Sequence, residues 1–290
     1  MKPLKADLLI LMVTICWGSS YIFMKLGLGS IEEFNLIALR CGLAFILSAA
    51  LFYKNLRHTD LKTLKYGALL GFLLFGVFTA IMFGLKTTTT SNAGFLISLT
   101  VIFVPLIYVT VFKKKLKLSL VIGVCLAIIG IGFLTLNSDL KIYPGDFLCI
   151  LGALLYAIHI LITDSAAKTT NTLNLGILQL GFAGAFGLLF SFLLETPKFP
   201  DTSEGWISVL VLSIVCSAFG YVVQPLAQKY TTPIRTGLIF SLEPLFAALF
   251  GFVFIHELLP FKGYIGAALV LVGVLVSGWH GGSKKQIAAH

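Results

Sequence analysis

The 290 residues are 58% hydrophobic and 11% charged, and the formal net charge is +9. Mean hydropathy is +1.00, whereas a soluble domain carries about a quarter charged residues, so a soluble fold of this length is excluded. The basic residues sit in short loops between apolar runs, the placement that membrane orientation demands, which argues against a nucleic-acid partner.

In chain order, apolar runs fall near 7–28, 34–53, 64–85, 90–112, 118–136, 145–167, 172–194, 205–228, 233–255 and 261–280. Runs of roughly 17–25 residues can each cross a ~30 Å hydrocarbon layer as helices. They are too long and too apolar for barrel strands, and hydrocarbon leaves backbone groups no water to bond, so an all-α integral membrane protein is expected. The first run continues too far for a cleavable signal and is expected to remain as a span. With the N-terminus inside, fifteen Lys and Arg residues fall in inner segments and five in outer ones, while Arg40 lies within a span. Both termini are therefore expected in the cytoplasm, with the chain in the cell membrane. Cys16, Cys41, Cys125, Cys149 and Cys216 all lie in apolar runs, without metal or disulfide spacing, and read as small buried hydrophobes.

The chain is internally duplicated. An offset of 143 residues matches Thr88 to Thr231, Gly94 to Gly237, Ser98 to Ser241, Leu99 to Leu242 and Phe103 to Phe246. Without a gap, the same offset carries Gly123 onto Gly266 and Gly130 onto Gly273, and an offset of 139 pairs Asp7 with Asp146 and Trp17 with Tyr156. Residues 1–143 and 144–280 are thus read as two five-helix repeats, followed by a polar cytoplasmic tail at 281–290. Five spans is an odd number, so the second repeat enters from the opposite face; inverted repeats of this kind hold substrate near the midplane.

WGSSYIFMK in the first run, LIALRCGLAF in the second and SLEPLFAALFGFVFIHELL in the ninth resemble the EamA-type drug/metabolite transporters, over essentially the whole chain. The resemblance implies ten helices, alternating access and a central cavity lined by spans one, three, four, six, eight and nine. It also implies cargo among amino acids, amines, nucleoside-like and other small metabolites. One departure stands out: Lys114 occupies the place of the acidic residue that often ends the fourth span and is mirrored here by Glu257. Pro105 likewise sits four residues beyond the position aligned with Pro244.

Candidate residues follow from depth and chemistry. Thr14, Trp17, Tyr21 and Lys25 share one helical face, and Gly152, Tyr156, His159 and Thr163 share another. Their aromatic rings can grip an apolar or cationic solute, or simply pack helices together. Glu243 lies about 15 Å from the inner end of its helix. It either binds a substrate ammonium or carries a coupled proton, or else locks helices as a buried paired group. Pro244 leaves the Phe240 carbonyl without its donor, so a kink or polar notch is expected there. Arg40 is expected to reach Glu32 or Glu33, with a substrate-anion or gating role as the alternative. Lys25 either snorkels to the outer interface or gates. His159 is a proton relay or a hydrogen-bonded core histidine, and Gln224 is a polar contact beside Pro225. The substrate-binding candidates are thus Trp17, Tyr21, Tyr156, His159, Gln224 and Glu243. Gly67 with Gly71, and Gly123 and Gly130 with Gly266 and Gly273, permit close helix contact within or between monomers. Trp206, Tyr53, Tyr143, Tyr230 and Trp279 suit interfacial belts.

No Walker loop, paired-histidine metal motif or nucleophile elbow is present in the sequence, so neither an enzyme nor a cofactor is expected. The reading is a secondary transporter of a small organic metabolite, an exporter by the resemblance, with an uptake carrier or exchanger as the alternative. A channel and a membrane-embedded enzyme are the remaining classes. Proton coupling, and a monomer against a homodimer, stay open.

Overall fold

The computed structural model describes residues 1–88, 90–111, 113, 115–135, 143–255 and 261–278. Among them every regular element is helical. The first half holds α1 (Pro3–Leu28), α2 (Glu33–Leu51), the single turn α3 (Tyr53–Leu56), α4 (Leu61–Leu85), α5 (Thr90–Ser98), α6 (Thr100–Thr110) and α7 (Leu118–Thr135). The second holds α8 (Pro144–Thr169), α9 (Thr172–Leu194), α10 (Ser203–Val211), a π-helical stretch Leu212–Phe219, α11 (Gly220–Gln228), α12 (Pro233–Phe240), α13 (Glu243–Ile255) and α14 (Phe261–Gly278). Lys114, Glu257, Trp279 and the 281–290 tail lie outside the described residues.

Local chemistry sets the helix starts. Proline opens α1, α8 and α12, where its missing N–H is no loss. Asn171 caps α9 by accepting from the backbone N–H of Leu173 at 3.0 Å and of Asn174 at 3.2 Å. Thr202 and Thr232 cap α10 and α12 in the same way. Among the described residues, eight helical segments are long and apolar enough to cross a membrane, and Leu118–Phe133 and Phe261–Ser277 are shorter apolar helices. Leu51, Phe147, Phe192, Leu194 and Leu275 are exposed on the outside of the bundle. Apolar side chains on both the inside and the outside suit a multi-pass membrane protein whose solvent is lipid.

The two halves meet through reciprocal contacts. A Cβ on Gly123 would lie 2.7 Å from the Gly273 carbonyl oxygen, and one on Gly130 would lie 2.6 Å from that of Gly266. Each glycine thus meets the repeat counterpart of the other, and the rising numbers of α7 run against the falling numbers of α14. Only glycine admits so close an antiparallel crossing, and it lies within one chain. The polar contacts repeat the pattern. Asn35 donates to the Lys198 carbonyl at 2.6 Å, and Asn174 donates to the Asn55 carbonyl at 2.9 Å. Asp7 accepts from Thr231 at 3.0 Å, and Asp146 accepts from Thr88. Antiparallel copies of one repeated unit account for all three sets.

The fourth and ninth spans are both interrupted near the middle. Span four breaks at Leu99, between α5 and α6; span nine breaks at Ser241 and Leu242, between α12 and α13. The 143-residue offset places these breaks on one another. Leu99 and Ser241 keep helical φ but have ψ of −14° and −8°, flat enough to interrupt the ladder. Pro244 accounts for the second break, since it offers the Phe240 carbonyl no N–H. Pro105 sits inside α6 instead, so proline does not explain the first. There the Ser98 and Thr100 hydroxyls donate to the Gly94 and Ile97 carbonyls at 2.8 and 2.6 Å. Bonds of this kind back to the preceding turn compete with the helical ladder.

Candidate functional site

A small cavity lies between the two halves. Trp17 and Tyr21 from α1, Phe78 from α4, Ile97 from α5, Tyr156 from α8, Tyr221 from α11 and Glu243 from α13 form its wall. These are spans one, three, four, six, eight and nine, three from each half.

Trp17 is the hub. Its ring centroid lies 4.7 Å from Tyr221, 4.9 Å from Phe240 and 5.8 Å from Tyr156, the last edge to face. Its indole N–H donates to the Cys216 carbonyl at 2.8 Å, inside the π-helical stretch. Gly220 is what lets the ring in, because a Cβ there would lie 2.5 Å from the indole nitrogen. Widened helical turns of this kind are rare and concentrate at functional sites.

Glu243 opens α13 and is 7% exposed. Tyr21 shares the cavity wall with it. A carboxylate at a helix N-terminus is favoured by the helix dipole, which helps to hold this group at a depth where charge is costly. The buried Tyr156 hydroxyl has no hydrogen-bond partner among the described residues, although its ring stacks with Phe240 and His159.

The remaining candidates lie elsewhere. His159 sits behind Tyr156, with ring centroids 5.7 Å apart. Gln179 donates its amide N–H to the Tyr221 carbonyl at 2.9 Å, so its oxygen accepts the proton of His159 Nε2 at 2.8 Å. That assigns the tautomer and leaves the buried Nδ1 without a partner. Gln224 is buried away from the wall, donating to Gln228, which donates in turn to the Ile160 carbonyl. Lys25 is exposed in the last turn of α1, off the cavity.

Arg40 corrects an expectation. It does not reach Glu32 or Glu33: Glu33 pairs with Lys86 at 2.7 Å, and Glu32 is exposed. Seven residues of helix put Arg40 about 10 Å below Glu33. Its face turns inward, so that the guanidinium is 1% exposed. Arg40 Nε donates to Ser217 at 3.2 Å and Cζ lies 4.0 Å from the Phe78 ring centroid, while Nη1 has no partner. The cation therefore backs the cavity wall through Phe78 without entering it.

A profile of the EamA-like transporter family matches residues 4–136 and again residues 143–279. The chain belongs to that family. An Archaeoglobus fulgidus protein named an uncharacterized transporter is 31% identical over 276 residues, which cover 95% of this chain and 86% of that one. A biotin transporter of Escherichia coli is 24% identical, over 92% of this chain and 91% of its own. A solved structure, described only as the crystal structure of a protein, superposes with a TM-score of 0.78 at 19% identity. It covers 94% of this chain and 96% of that one and shows the shared fold. The family and its named relatives are transporters rather than enzymes, so this EamA-like chain is a membrane transporter.

Sequence reasoning missed Phe78, Tyr221, Phe240 and Ile97, which no motif marks. It also missed Thr100, which the constant offset lays on Glu243.

Proposed function

We propose that this EamA-like protein is a secondary transporter that moves a small organic metabolite by alternating access. In this reading residues 1–143 and 144–280 form ten spans that rock around the cavity, with both termini in the cytoplasm and the chain in the cell membrane. The distribution of Lys and Arg supports that orientation. Export is the direction that resembles the family. The observation that carries the reading is a lone carboxylate, Glu243, in an aromatic wall built equally from both halves. A cation between rings and a carboxylate gains cation–π attraction and charge pairing away from bulk water. The preferred cargo is therefore an amine, an amino acid or a similarly polarised solute.

One observation favours a second reading. Arg40 is buried with a free Nη1 against the outer side of Phe78. A modest rotation of that ring would expose a cation to a carboxylate-bearing cargo, in keeping with relatives named biotin transporters. A thermal-shift screen of the purified protein against amines, amino acids and carboxylates separates the two, because a ligand stabilises the state it binds. If stabilising ligands show no saturable uptake into liposomes, the carrier reading fails.

A further inference from the structure

Beside the cargo cavity lies a second, smaller one at the two helix breaks. Ser98, Thr100, Tyr156, Phe240, Ser241 and Glu243 contribute to its lining. Its chemistry differs from that of the first. The Ser98, Thr100 and Ser241 hydroxyls each donate to a carbonyl of their own turn, those of Gly94, Ile97 and Leu238, at 2.6 to 2.8 Å. With their protons committed, the three oxygens have only lone pairs to offer. The α5 and α12 C-termini, which carry partial negative charge, end at this point from opposite halves. Pro244 withholds a donor from the Phe240 carbonyl. The Tyr156 hydroxyl, buried and unpartnered, belongs to the same lining.

We infer that this second cavity is a binding site for an alkali-metal cation of about sodium size, coupled to cargo through Glu243, which lines both cavities. The side-chain donors in this lining are all oxygens, set among the apolar Ile97 and Phe240, and oxygen donors select a hard cation. A single carboxylate balances a single positive charge, whereas a divalent ion would leave a net charge in the membrane. A proton needs one carboxyl oxygen and gives no reason for three acceptor-only hydroxyls around it. Interrupted half-helices at mid-depth are where transporters built from inverted repeats hold coupling ions. Cation binding stands on this geometry alone; the coupling rests on the transporter reading.

The test is thermal unfolding of the purified full-length protein in lipid nanodiscs, in choline chloride and in sodium chloride at equal ionic strength. Sodium should raise Tm saturably, as a ligand specific for the folded state does. In the Ser98→Ala/Ser241→Ala variant the half-saturating concentration should rise about tenfold, the effect of 1.4 kcal/mol. Glu243→Gln should abolish the sodium effect. Equal Tm in sodium, potassium and choline for the wild-type protein overturns the site, whether or not the variants fold, and so does a Tm that follows pH alone. Liposome uptake separates the two levels. Saturable cargo uptake that is indifferent to sodium, with no sodium effect on Tm, sinks the cation site and leaves the transporter. Sodium stabilisation without any saturable cargo uptake supports the site and removes the secondary-carrier reading.

Discussion

Thr231 donates its hydroxyl to the Asp7 carboxylate at 3.0 Å, and the repeat counterparts Thr88 and Asp146 make the same bond. Each bond ties one half to the other, at opposite ends of the bundle. The Asp7 end is reinforced by Arg235, whose Nη2 lies 2.7 Å from the second carboxylate oxygen. Two latches of this kind must open alternately if the halves rock. Asp7→Asn removes the ion pair and should favour opening on the side of the N-terminus, whereas Asp146→Asn should favour the other side. A cysteine placed at Ser20 on the cavity wall, in a background without the native cysteines, reports this through impermeant thiol reagents. Breaking a partly buried charged pair costs about 1–3 kcal/mol, so labelling rates should change roughly tenfold. Both variants opening to the same side would contradict the reciprocal arrangement.

Glu243→Gln keeps the size and loses the charge. Saturable transport should fall at least about a hundredfold, the effect of some 2.8 kcal/mol for a lost charge pair in a sheltered site, while yield and the helical spectrum stay near wild type. Normal transport with unchanged pH dependence would reduce Glu243 to a helix lock.

Trp17 has two contributions that substitution can separate. Trp17→Phe retains a ring against Tyr156 and Tyr221 but loses the bond to the Cys216 carbonyl. Trp17→Ala loses both and leaves a void, costing about 3–5 kcal/mol in a packed core. Cargo affinity should fall in the order wild type, Phe, Ala. Gly220→Ala, which touches no cargo, should mimic the Phe variant by displacing the indole. Calorimetric titration would show this; unchanged affinity in all three variants would remove Trp17 from the binding wall.

Gly130→Ala would place a methyl group 2.6 Å from the Gly266 carbonyl oxygen and force α7 from α14. Strain of this kind typically costs about 1–3 kcal/mol, visible as a lower Tm in detergent, with cargo affinity much less affected because neither α7 nor α14 contributes a residue to the cavity wall.

The duplication was legible because no gap interrupts it, and four of the wall residues were legible because a mid-depth carboxylate, indole or phenol stands out against aliphatic neighbours. Phe78 and Phe240 were not, since 25 phenylalanines crowd the sequence and nothing in an apolar run says which face turns inward. Arg40 was misjudged for a related reason: nearby acids in the sequence say little about which way a helix is rotated. The π-helical stretch has no sequence signature at all. It follows from the indole inserted beside Gly220, a contact 203 residues away along the chain.

The glycine crossing has a consequence for how such a chain can be assembled. Because Gly123 meets Gly273 and Gly130 meets Gly266, each half carries both faces of an isologous seam, the kind that joins identical subunits about a two-fold axis. Two separately translated polypeptides, 1–143 and 144–290, inserted in opposite senses, would each carry both faces of this seam and so the means to find one another in the bilayer.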